Sequence, residues 1–215
     1  MDKRVKLEKI AKKYMSQTIL DHFKRVDRIL FGASKKNRDL EVIVVKKPKE
    51  YFVALCSEII SQQLSGRVSD VILERFQKLF PNKEITSEYI LKLQHENLRG
   101  TGMSNAKARF IMDLASKIYN KEVDLEKLVL LENVEVIKEL TKIKGIGRWT
   151  AEMFLMFTLE REDVFSHGDL GLRNAIKRLY KLENPTYEQM ETISIKWSPY
   201  RTYACRILWR SLENR

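Results

Sequence analysis

A turn that contains two glycines is the part of this sequence best suited to binding an anion. Gly145 and Gly147 flank Ile146, a residue of a type that is usually buried, and a helix is predicted to begin directly after them. Glycine allows the positive φ of a tight turn, and a new helix presents unpaired backbone N–H groups to a phosphate. Three basic side chains surround the turn: Lys142, Lys144 and Arg148. An ordinary connection between two helices is the alternative interpretation, but the basic residues favour an anion site.

Asp169, which lies 22 residues after Gly147, is a carboxylate at a predicted helix start. It stands where a helix is expected to begin, so its side chain can accept backbone N–H bonds at the positive end of the helix dipole. A negative charge fixed in this way can stabilise a developing cation or orient a water molecule. On spacing alone, a helix cap without any catalytic role is the more common outcome.

Helices must position both features, because apolar residues recur at spacings of three and four along most of the chain. Two helices are expected between 49 and 80, separated by a polar turn at 61–66, and one helix over 5–30. The other predicted helices begin at Thr86 or Ser87, run from Ser104 to about Asn120, over 133–141, from Arg148 to about Glu160, from Asp169 to Lys181, from Pro185-Thr186 and from Ser198-Pro199. The run Val42–Val45 is strand-like but too short to found a sheet. The fold class is therefore all-α, with about ten helices.

Composition limits the class of protein. The 215 residues carry 40 Lys+Arg against 29 Asp+Glu, a formal charge of +11 that indicates an anionic partner such as nucleic acid. A hydrophobic content of 44% is enough for a core and excludes a disordered tail protein. The two cysteines, Cys56 and Cys205, are too few for a disulfide framework, a cysteine-rich zinc site or a four-cysteine iron–sulfur cluster. Since the sequence shows no signal peptide and no apolar run of membrane-spanning length, we expect a soluble, intracellular protein without a membrane partner.

Several motifs, in their order and spacing, resemble the helix–hairpin–helix DNA glycosylase superfamily. The resemblance spans roughly residues 20–211 and is greatest to the branch of the DNA-3-methyladenine glycosylase II type. The stretches that carry it are Ile59-Ile60-Ser61-Gln62-Gln63-Leu64-Ser65, 98–104 with Lys107-Ala108, the hairpin at 140–151, Asp163-Val164-Phe165 with 168–173, and 197–201 with Leu208-Trp209. Each stretch alone is a modest match, and together they form a strong one.

The resemblance implies that Asp169 is the catalytic residue of a base-excision repair enzyme. This enzyme would hydrolyse the N-glycosidic bond of alkylated purines, such as 3-methyladenine or 7-methylguanine, in duplex DNA after flipping the base out of the stack. The sugar becomes oxocarbenium-like as the base leaves, and Asp169 would stabilise that cation and orient the attacking water. The residues implied to bind DNA are Gln62, Gln63, Leu64, Lys144, Gly145, Ile146, Gly147, Arg148 and Thr150.

The resemblance also implies a base pocket and a wedge. Trp149, Trp209 and Met153 match positions that line the pocket in this branch, and an aromatic face adds about 0.5–2 kcal/mol to the binding of a cationic base. Gln63 or Leu64 would fill the gap that the flipped base leaves. The alternatives are core tryptophans and a solvent-exposed junction between two helices, and the sequence leaves the lesion preference open.

The sequence departs from several relatives, and each departure narrows the expected chemistry. Bifunctional relatives carry a lysine where this chain has Trp149, so the resemblance implies a monofunctional enzyme. Two cysteines cannot supply the iron–sulfur cluster of endonuclease III-type relatives, and the chain is expected to lack the N-terminal β domain of others. Many relatives hold a monovalent cation on hairpin carbonyls, which implies Na⁺ or K⁺ on Thr141, Ile143 and Ile146 and no required cofactor.

These expectations combine into one two-lobed domain, 1–215. The central lobe would cover 47–163 and contain the hairpin at 140–151, and the second lobe would combine 1–46 with 164–215. The expected partner is double-stranded DNA with a damaged base, bound by a monomer in a prokaryotic cytoplasm or a eukaryotic nucleus. A non-catalytic protein that recognises damaged DNA and a bifunctional glycosylase/lyase are the alternatives.

Overall fold

The structure, a computed structural model, describes residues 17–35 and 47–213. These residues form twelve α-helices and no strand, so the all-α prediction is confirmed. The strand-like run Val42–Val45 lies outside the described residues. No helix in 17–35 or 47–213 is long and apolar enough to cross a membrane.

The described chain divides into two compact units, one formed by 17–35 with 160–213 and the other by 47–159. The helices of the first unit are α1, described over 17–26, α2 (Arg28–Ser34), α10 (Leu170–Tyr180), α11 (Tyr187–Ser194) and α12 (Arg201–Glu213). The helices of the second are α3 (Pro48–Ser61), α4 (Gly66–Gln77), α5 (Ser87–Lys92), α6 (His95–Gly100), α7 (Asn105–Tyr119), α8 (Asn133–Leu140) and α9 (Arg148–Phe157).

The core of the 47–159 unit positions the hairpin between α8 and α9. Helix α3 packs against α4, α7 and α9, and α7 also packs against α5 and α6. Leu55 and Ile59 of α3, Ile111 and Leu114 of α7 and Phe154 of α9 are fully buried. In α3 and α7 the buried residues recur at helical spacing, so each of these helices turns an apolar face inward. Helix α9 is buried on all sides over 150–156.

In the other unit, α12 packs against both α10 and α2. Asp169 caps α10, and Trp209 lies in α12. The packing of α10 on α12 therefore brings these two predicted site residues together. The buried faces of α10 and α12 are apolar, and Leu172, Ile176 and Leu208 are fully buried.

The predicted helix starts are confirmed wherever a side chain caps the backbone. Thr86 accepts a hydrogen bond from the N–H of Tyr89 at 3.2 Å, and Ser104 accepts one from Lys107 at 3.3 Å. Thr186 forms the predicted reciprocal box with Gln189. These starts could be predicted because a cap and its partner lie within three residues of each other.

The prediction of one unbroken helix over 5–30 is wrong within the described residues. The helix that covers 17–26 ends before Asp27, whose Oδ1 accepts hydrogen bonds from the N–H groups of Ile29 and Leu30 at 3.0 Å and caps α2. The other carboxylate oxygen accepts a hydrogen bond from the indole N–H of Trp197 at 2.9 Å. A distant partner therefore fixes a break that the apolar periodicity does not show.

Two other expectations also need correction. Helix α12 begins at Arg201 instead of Pro199, because a short 3₁₀ turn at Ile195–Trp197 precedes it and the N–H of Tyr200 bonds to the Trp197 carbonyl at 2.8 Å. The sequence analysis also missed α6, whose six residues are too few to show a helical period.

Candidate functional site

The hairpin places its two isoleucines in the core, while Gly147, Arg148 and Trp149 at the start of α9 are exposed. Ile143 and Ile146 are 1% and 3% exposed, and the N–H of Ile146 bonds to the Ile143 carbonyl at 3.1 Å. Gly145 has a φ of +84°, which glycine tolerates, and Gly147 is the N-cap of α9. Gly147 has no side chain to cap the first N–H groups of α9, so these groups can bind an anion.

The three cations of the hairpin each have an acidic neighbour. Lys142 pairs with Glu139 at 2.7 Å, and the Nε of Arg148 pairs with Oε1 of the buried Glu152 at 2.9 Å. Lys144 is held by a carboxylate of α7, whose geometry is given below. The positive charge around the turn is therefore smaller than the sequence analysis indicated.

Asp113 is the acidic partner of Lys144. Its Oδ2 accepts the backbone N–H of Lys144 at 2.8 Å, and its Oδ1 lies 3.7 Å from the Lys144 ammonium. The carboxylate therefore fixes the backbone of the turn as well as neutralising one charge. The Lys144 side chain itself remains 75% exposed, so it can still reach a solvent-side anion.

The polar turn between α3 and α4 is tied to the hairpin by one side chain. The amide Nε2 of Gln62 donates to the Gly145 carbonyl at 2.8 Å and lies 3.4 Å from Oγ1 of Thr150. Gln63 has a positive φ of 57° and is exposed, and Leu64 is half-buried. The structure thus separates the three predicted residues: Gln62 is a tether, whereas Gln63 and Leu64 form the tip of the turn.

Lys107 is a member of this arrangement to which the sequence analysis gave no role. Its ammonium donates to the carbonyls of Ile60 at 2.8 Å and Gln62 at 2.6 Å, two groups that the end of α3 leaves unpaired. Burial away from water lowers the pKa of this ammonium. Since 47 residues separate Lys107 from Ile60, no local sequence signal could have revealed the contact.

Trp149 is the one predicted pocket residue of this unit that borders an open cavity. The cavity has a volume of about 580 Å³ and is also lined by Glu58, Leu64 and Thr150. The indole of Trp149 is 44% exposed, which leaves it accessible to a planar ligand. Met153 is only 5% exposed and packs in the core of the unit.

The hairpin carbonyls proposed to hold a cation differ in their existing contacts. The carbonyl of Ile143 accepts the N–H of Ile146 at 3.1 Å. At Thr141 the side-chain hydroxyl, a different group from the carbonyl, donates to the Ile137 carbonyl at 2.8 Å. A carbonyl oxygen has two lone pairs, so the contact at Ile143 is compatible with a second ligand. The cation site on Thr141, Ile143 and Ile146 stays a prediction.

In the other unit, Asp169 occupies the predicted cap of α10 and is 8% exposed. Its Oδ1 accepts the backbone N–H of Leu172 at 2.7 Å and the indole N–H of Trp209 at 2.9 Å. Two donors therefore hold the carboxylate in one orientation. Trp209, which the sequence analysis placed in the base pocket, contacts Asp169 through its N–H edge.

His167 and Arg201 stabilise the segment around Asp169. The Nε2 of His167 is hydrogen bonded to Oε2 of Glu191 at 2.7 Å, and its ring stacks on Tyr187 at a centroid distance of 4.2 Å. Arg201 binds both oxygens of Asp163, with Nε to Oδ1 at 2.7 Å and Nη2 to Oδ2 at 3.0 Å. Arg201 is thus engaged within its own unit.

The residues in 17–35 and 47–213 include no cluster of three or more His, Cys, Asp or Glu side chains suited to a metal ion. Cys56 and Cys205 are both buried thiols, and burial raises the pKa of each. Neither thiol is therefore activated as a nucleophile.

Known proteins resemble this chain in sequence and in structure. Residues 56–199 match the family described as HhH-GPD superfamily base excision DNA repair protein. DNA-3-methyladenine glycosylase 1 of Schizosaccharomyces pombe is 33% identical over 194 residues, which cover 89% of this chain and 82% of that protein. The structure of the S. pombe 3-methyladenine DNA glycosylase Mag1 in complex with abasic DNA has a TM-score of 0.77 and 32% identity, covering 90% of this chain and 95% of that one. The structure of a DNA-3-methyladenine glycosidase of Bacillus halodurans has the same TM-score of 0.77 and 32% identity, covering 90% of this chain and 88% of that one.

Proposed function

Because this chain belongs to the HhH-GPD superfamily of base excision DNA repair proteins, we propose that it is a monofunctional DNA glycosylase. It hydrolyses the N-glycosidic bond of alkylated purines in duplex DNA and leaves an abasic site. Relatives named DNA-3-methyladenine glycosylases support the substrate class. The observation that carries the proposal is Asp169, a largely buried carboxylate held by two N–H donors at the start of a helix.

Asp169 supplies the negative charge that the reaction needs. Departure of the base leaves positive charge on the sugar, and a carboxylate nearby stabilises that charge most when it is already oriented. The bonds from Leu172 and Trp209 provide this orientation before the substrate arrives. The same carboxylate can orient or deprotonate the water that attacks the sugar.

The positive charge of an alkylated base speeds cleavage of its N-glycosidic bond. An alkylated purine such as 3-methyladenine or 7-methylguanine carries a positive charge, so it leaves without a strong general acid. The exposed indole of Trp149 offers an aromatic face to such a base once it is flipped from the stack. Glu58 borders the same cavity and adds a carboxylate to its wall.

The hairpin and the polar turn hold the duplex. The first backbone N–H groups of α9 bind a phosphate oxygen, with Lys144 and Arg148 beside them, and such contacts position the protein without reading sequence. Gln63 and Leu64, at the tip of the turn, fill the space that the flipped base leaves. The carbonyls of Thr141, Ile143 and Ile146 are the proposed ligands of a Na⁺ or K⁺ ion that would add positive charge at this phosphate. The reaction itself consumes water and requires no cofactor.

The protein therefore acts on double-stranded DNA inside the cell, as a monomer. The resemblance to bifunctional relatives implies that Trp149 stands where those enzymes carry the lysine that forms the Schiff base of lyase chemistry. Borohydride treatment during turnover should consequently trap no covalent protein–DNA adduct, and an adduct would establish the bifunctional alternative.

Release of free base from methylated duplex DNA tests the proposal directly. Wild type should release 3-methyladenine and 7-methylguanine, and Asp169→Asn should be slower by about 100-fold or more, because the negative charge is lost. Asparagine keeps an oxygen for the Leu172 N–H, so α10 stays capped.

Asp124→Asn is the matched control for this experiment. Asp124 also accepts backbone N–H bonds, from Glu126 and Lys127, but it lies in the 47–159 unit and is none of the predicted site residues. Its variant should release base at the wild-type rate. A wild-type protein that binds duplex DNA and releases no more base than Asp169→Asn would be a damage-recognition protein without turnover.

A further inference from the structure

Gly171 and the indole N–H of Trp209 form one arrangement around Asp169. Building on the proposed catalytic role of Asp169, we propose that both are positioning residues. Gly171 leaves the space through which the Trp209 N–H reaches Oδ1 of Asp169, and that bond sets the direction of the carboxylate. Trp209 then acts on the reaction through Asp169 instead of stacking on the flipped base.

The contacts on Asp169 explain how its direction is set. The Leu172 N–H, at 2.7 Å, comes from the helix that Asp169 caps, and the Trp209 N–H, at 2.9 Å, comes from α12. Both donors bind the same oxygen, so together they restrict rotation of the carboxylate about its Cβ–Cγ bond. The backbone donor alone would leave that rotation softer, since a single hydrogen bond fixes a distance better than a plane.

The crowding at Gly171 shows why a side chain is missing there. A Cβ on Gly171 would lie 3.0 Å from Oδ1 of Asp169, 3.0 Å from Cδ1 of Trp209 and 3.2 Å from its Nε1. These atoms belong to the two partners of the hydrogen bond. Any larger residue at 171 must therefore push the indole or the carboxylate aside.

Backbone conformation does not explain this glycine. Gly171 lies inside α10 with no positive φ, where alanine would favour the helix more strongly. Its absence of a side chain weakens the helix and yet creates the space for the Trp209–Asp169 contact. The position therefore matters for the geometry of the carboxylate more than for the stability of the helix.

Substitutions at Trp209 separate positioning from stacking. Trp209→Phe keeps an aromatic face and removes the N–H donor, whereas Trp209→Leu removes both. If Trp209 positions Asp169, both variants lower the single-turnover rate of base release by about 10- to 100-fold, the range for a lost hydrogen bond to a charged group. If Trp209 stacks on the base, Trp209→Phe stays near the wild-type rate and only Trp209→Leu is slow, which would overturn the proposal.

Substitution of Gly171 provides an independent measurement. Gly171→Ala should lower the single-turnover rate about tenfold while affinity for an uncleavable lesion duplex stays within about twofold. Gly32→Ala is the matched control, because Gly32 also lies in a helix of this unit and its added Cβ would have no neighbour within 4 Å. In an Asp169→Asn background, Trp209→Phe should have little further effect, since residues that act through one group are not additive.

Nuclear magnetic resonance of the tryptophan indoles tests the contact without any catalysis. The protein has three tryptophans, so ¹⁵N-labelled indole gives three resonances, and Trp209→Phe assigns one of them. A hydrogen bond to a carboxylate moves an indole proton downfield. The Trp209 resonance should therefore shift upfield in Gly171→Ala and in Asp169→Asn, and stay in place in Gly32→Ala.

The outcomes distinguish this proposal from the proposed function. A wild-type protein that releases no base refutes the function, while the indole resonance still decides whether Gly171 governs the Trp209–Asp169 contact. An indole resonance that Gly171→Ala leaves unmoved refutes the positioning role, even where base release by wild type is normal.

Discussion

Two glycines, one in each unit, lie close to an aromatic ring, and the consequences of a side chain differ between them. At Gly145 an added Cβ would lie 2.8 Å from Cε2 of Phe110 and closer still to Cδ2 and Cγ, so the ring or the backbone would have to move. At Gly171 the nearest atoms lie at 3.0–3.2 Å, a distance that small adjustments can relieve. Gly145 also has a φ of +84°, whereas Gly171 is helical.

The first glycine therefore determines the path of the backbone, and the second determines the space available to a hydrogen bond. The two regions also hold charge differently. Each hairpin cation lies beside an acidic side chain, while the Leu172 and Trp209 donors that bind Oδ1 of Asp169 are neutral N–H groups. A phosphate site at a helix start needs a backbone that directs its N–H groups at the anion, and a catalytic carboxylate needs orientation while keeping its negative charge.

Gly145→Ala should produce the largest effect on stability. The positive φ and the overlap with Phe110 together should lower the free energy of unfolding by about 3 kcal/mol, measured by urea denaturation. Gly171→Ala should change it by less than about 1 kcal/mol, because the gain in helix propensity offsets the crowding. Gly147→Ala is the control in the hairpin, since its added Cβ has no neighbour within 4 Å.

A double variant divides the Gly145 effect into its two causes. Phe110→Ala opens space beside the turn, so the loss in free energy of unfolding caused by Gly145→Ala should be smaller in that background by at least about 1 kcal/mol. The loss that persists in that background measures the cost of the positive φ. An equal cost in both backgrounds would show that the ring does not confine the turn. A larger loss at Gly171 than at Gly145 would reverse the comparison.

Asp163, six residues before Asp169, is a carboxylate that a charged donor, Arg201, binds. Its replacement should have the next largest effect on stability. Burial opposes its ionisation, but the hydrogen bonds from Arg201 and Ser198 outweigh this and lower the pKa of Asp163 below its ordinary value of 3.8. The folded state thus binds a proton less readily than the unfolded state. The added stability is complete above about pH 4 and is lost as the pH falls through the lowered value.

Asp163→Asn should accordingly lower the free energy of unfolding by about 1 kcal/mol at pH 6 and by progressively less at pH 4, 3 and 2.5. The difference is modest because the pair is partly exposed and screened by water. Urea titrations of both proteins across this range measure it. A difference that stays constant with pH would mean that Asp163 stabilises the loop by shape and not by charge.

The sequence was sufficient for features whose partners are close along the chain. The caps at Thr86, Ser104 and Asp169 and the hairpin itself depend on residues within a few positions of one another. Two of the acidic neighbours also had a usable signal, since Glu139 and Glu152 lie three and four residues from Lys142 and Arg148. Pairs at these spacings are typical of neighbours on a helix surface.

Contacts between distant segments could not be predicted. Gln62 is 83 residues from Gly145, Trp209 is 40 residues from Asp169, and Lys144 is 31 residues from Asp113. Each depends on how helices pack, which apolar periodicity does not specify. These contacts give Gln62 a tethering role and give Trp209 a partner within the protein, while the contacts of both residues with DNA stay predictions.

Removal of the acidic partner of Lys144 should have the smallest effect and bears on the charge of the hairpin. Asp113→Asn keeps an oxygen for the Lys144 N–H but removes the negative charge opposite its ammonium. Undamaged duplex DNA should bind about two- to threefold tighter, and the plot of log affinity against log salt should become steeper by up to about 1. Glu122→Gln is the control, because it removes an acidic partner of Lys117 on the same helix and makes the same change in net charge without removing the acidic partner of Lys144. If both variants tighten binding equally, overall charge governs duplex affinity; a gain confined to Asp113→Asn shows that Lys144 contacts the phosphate and that its acidic neighbour weakens that contact.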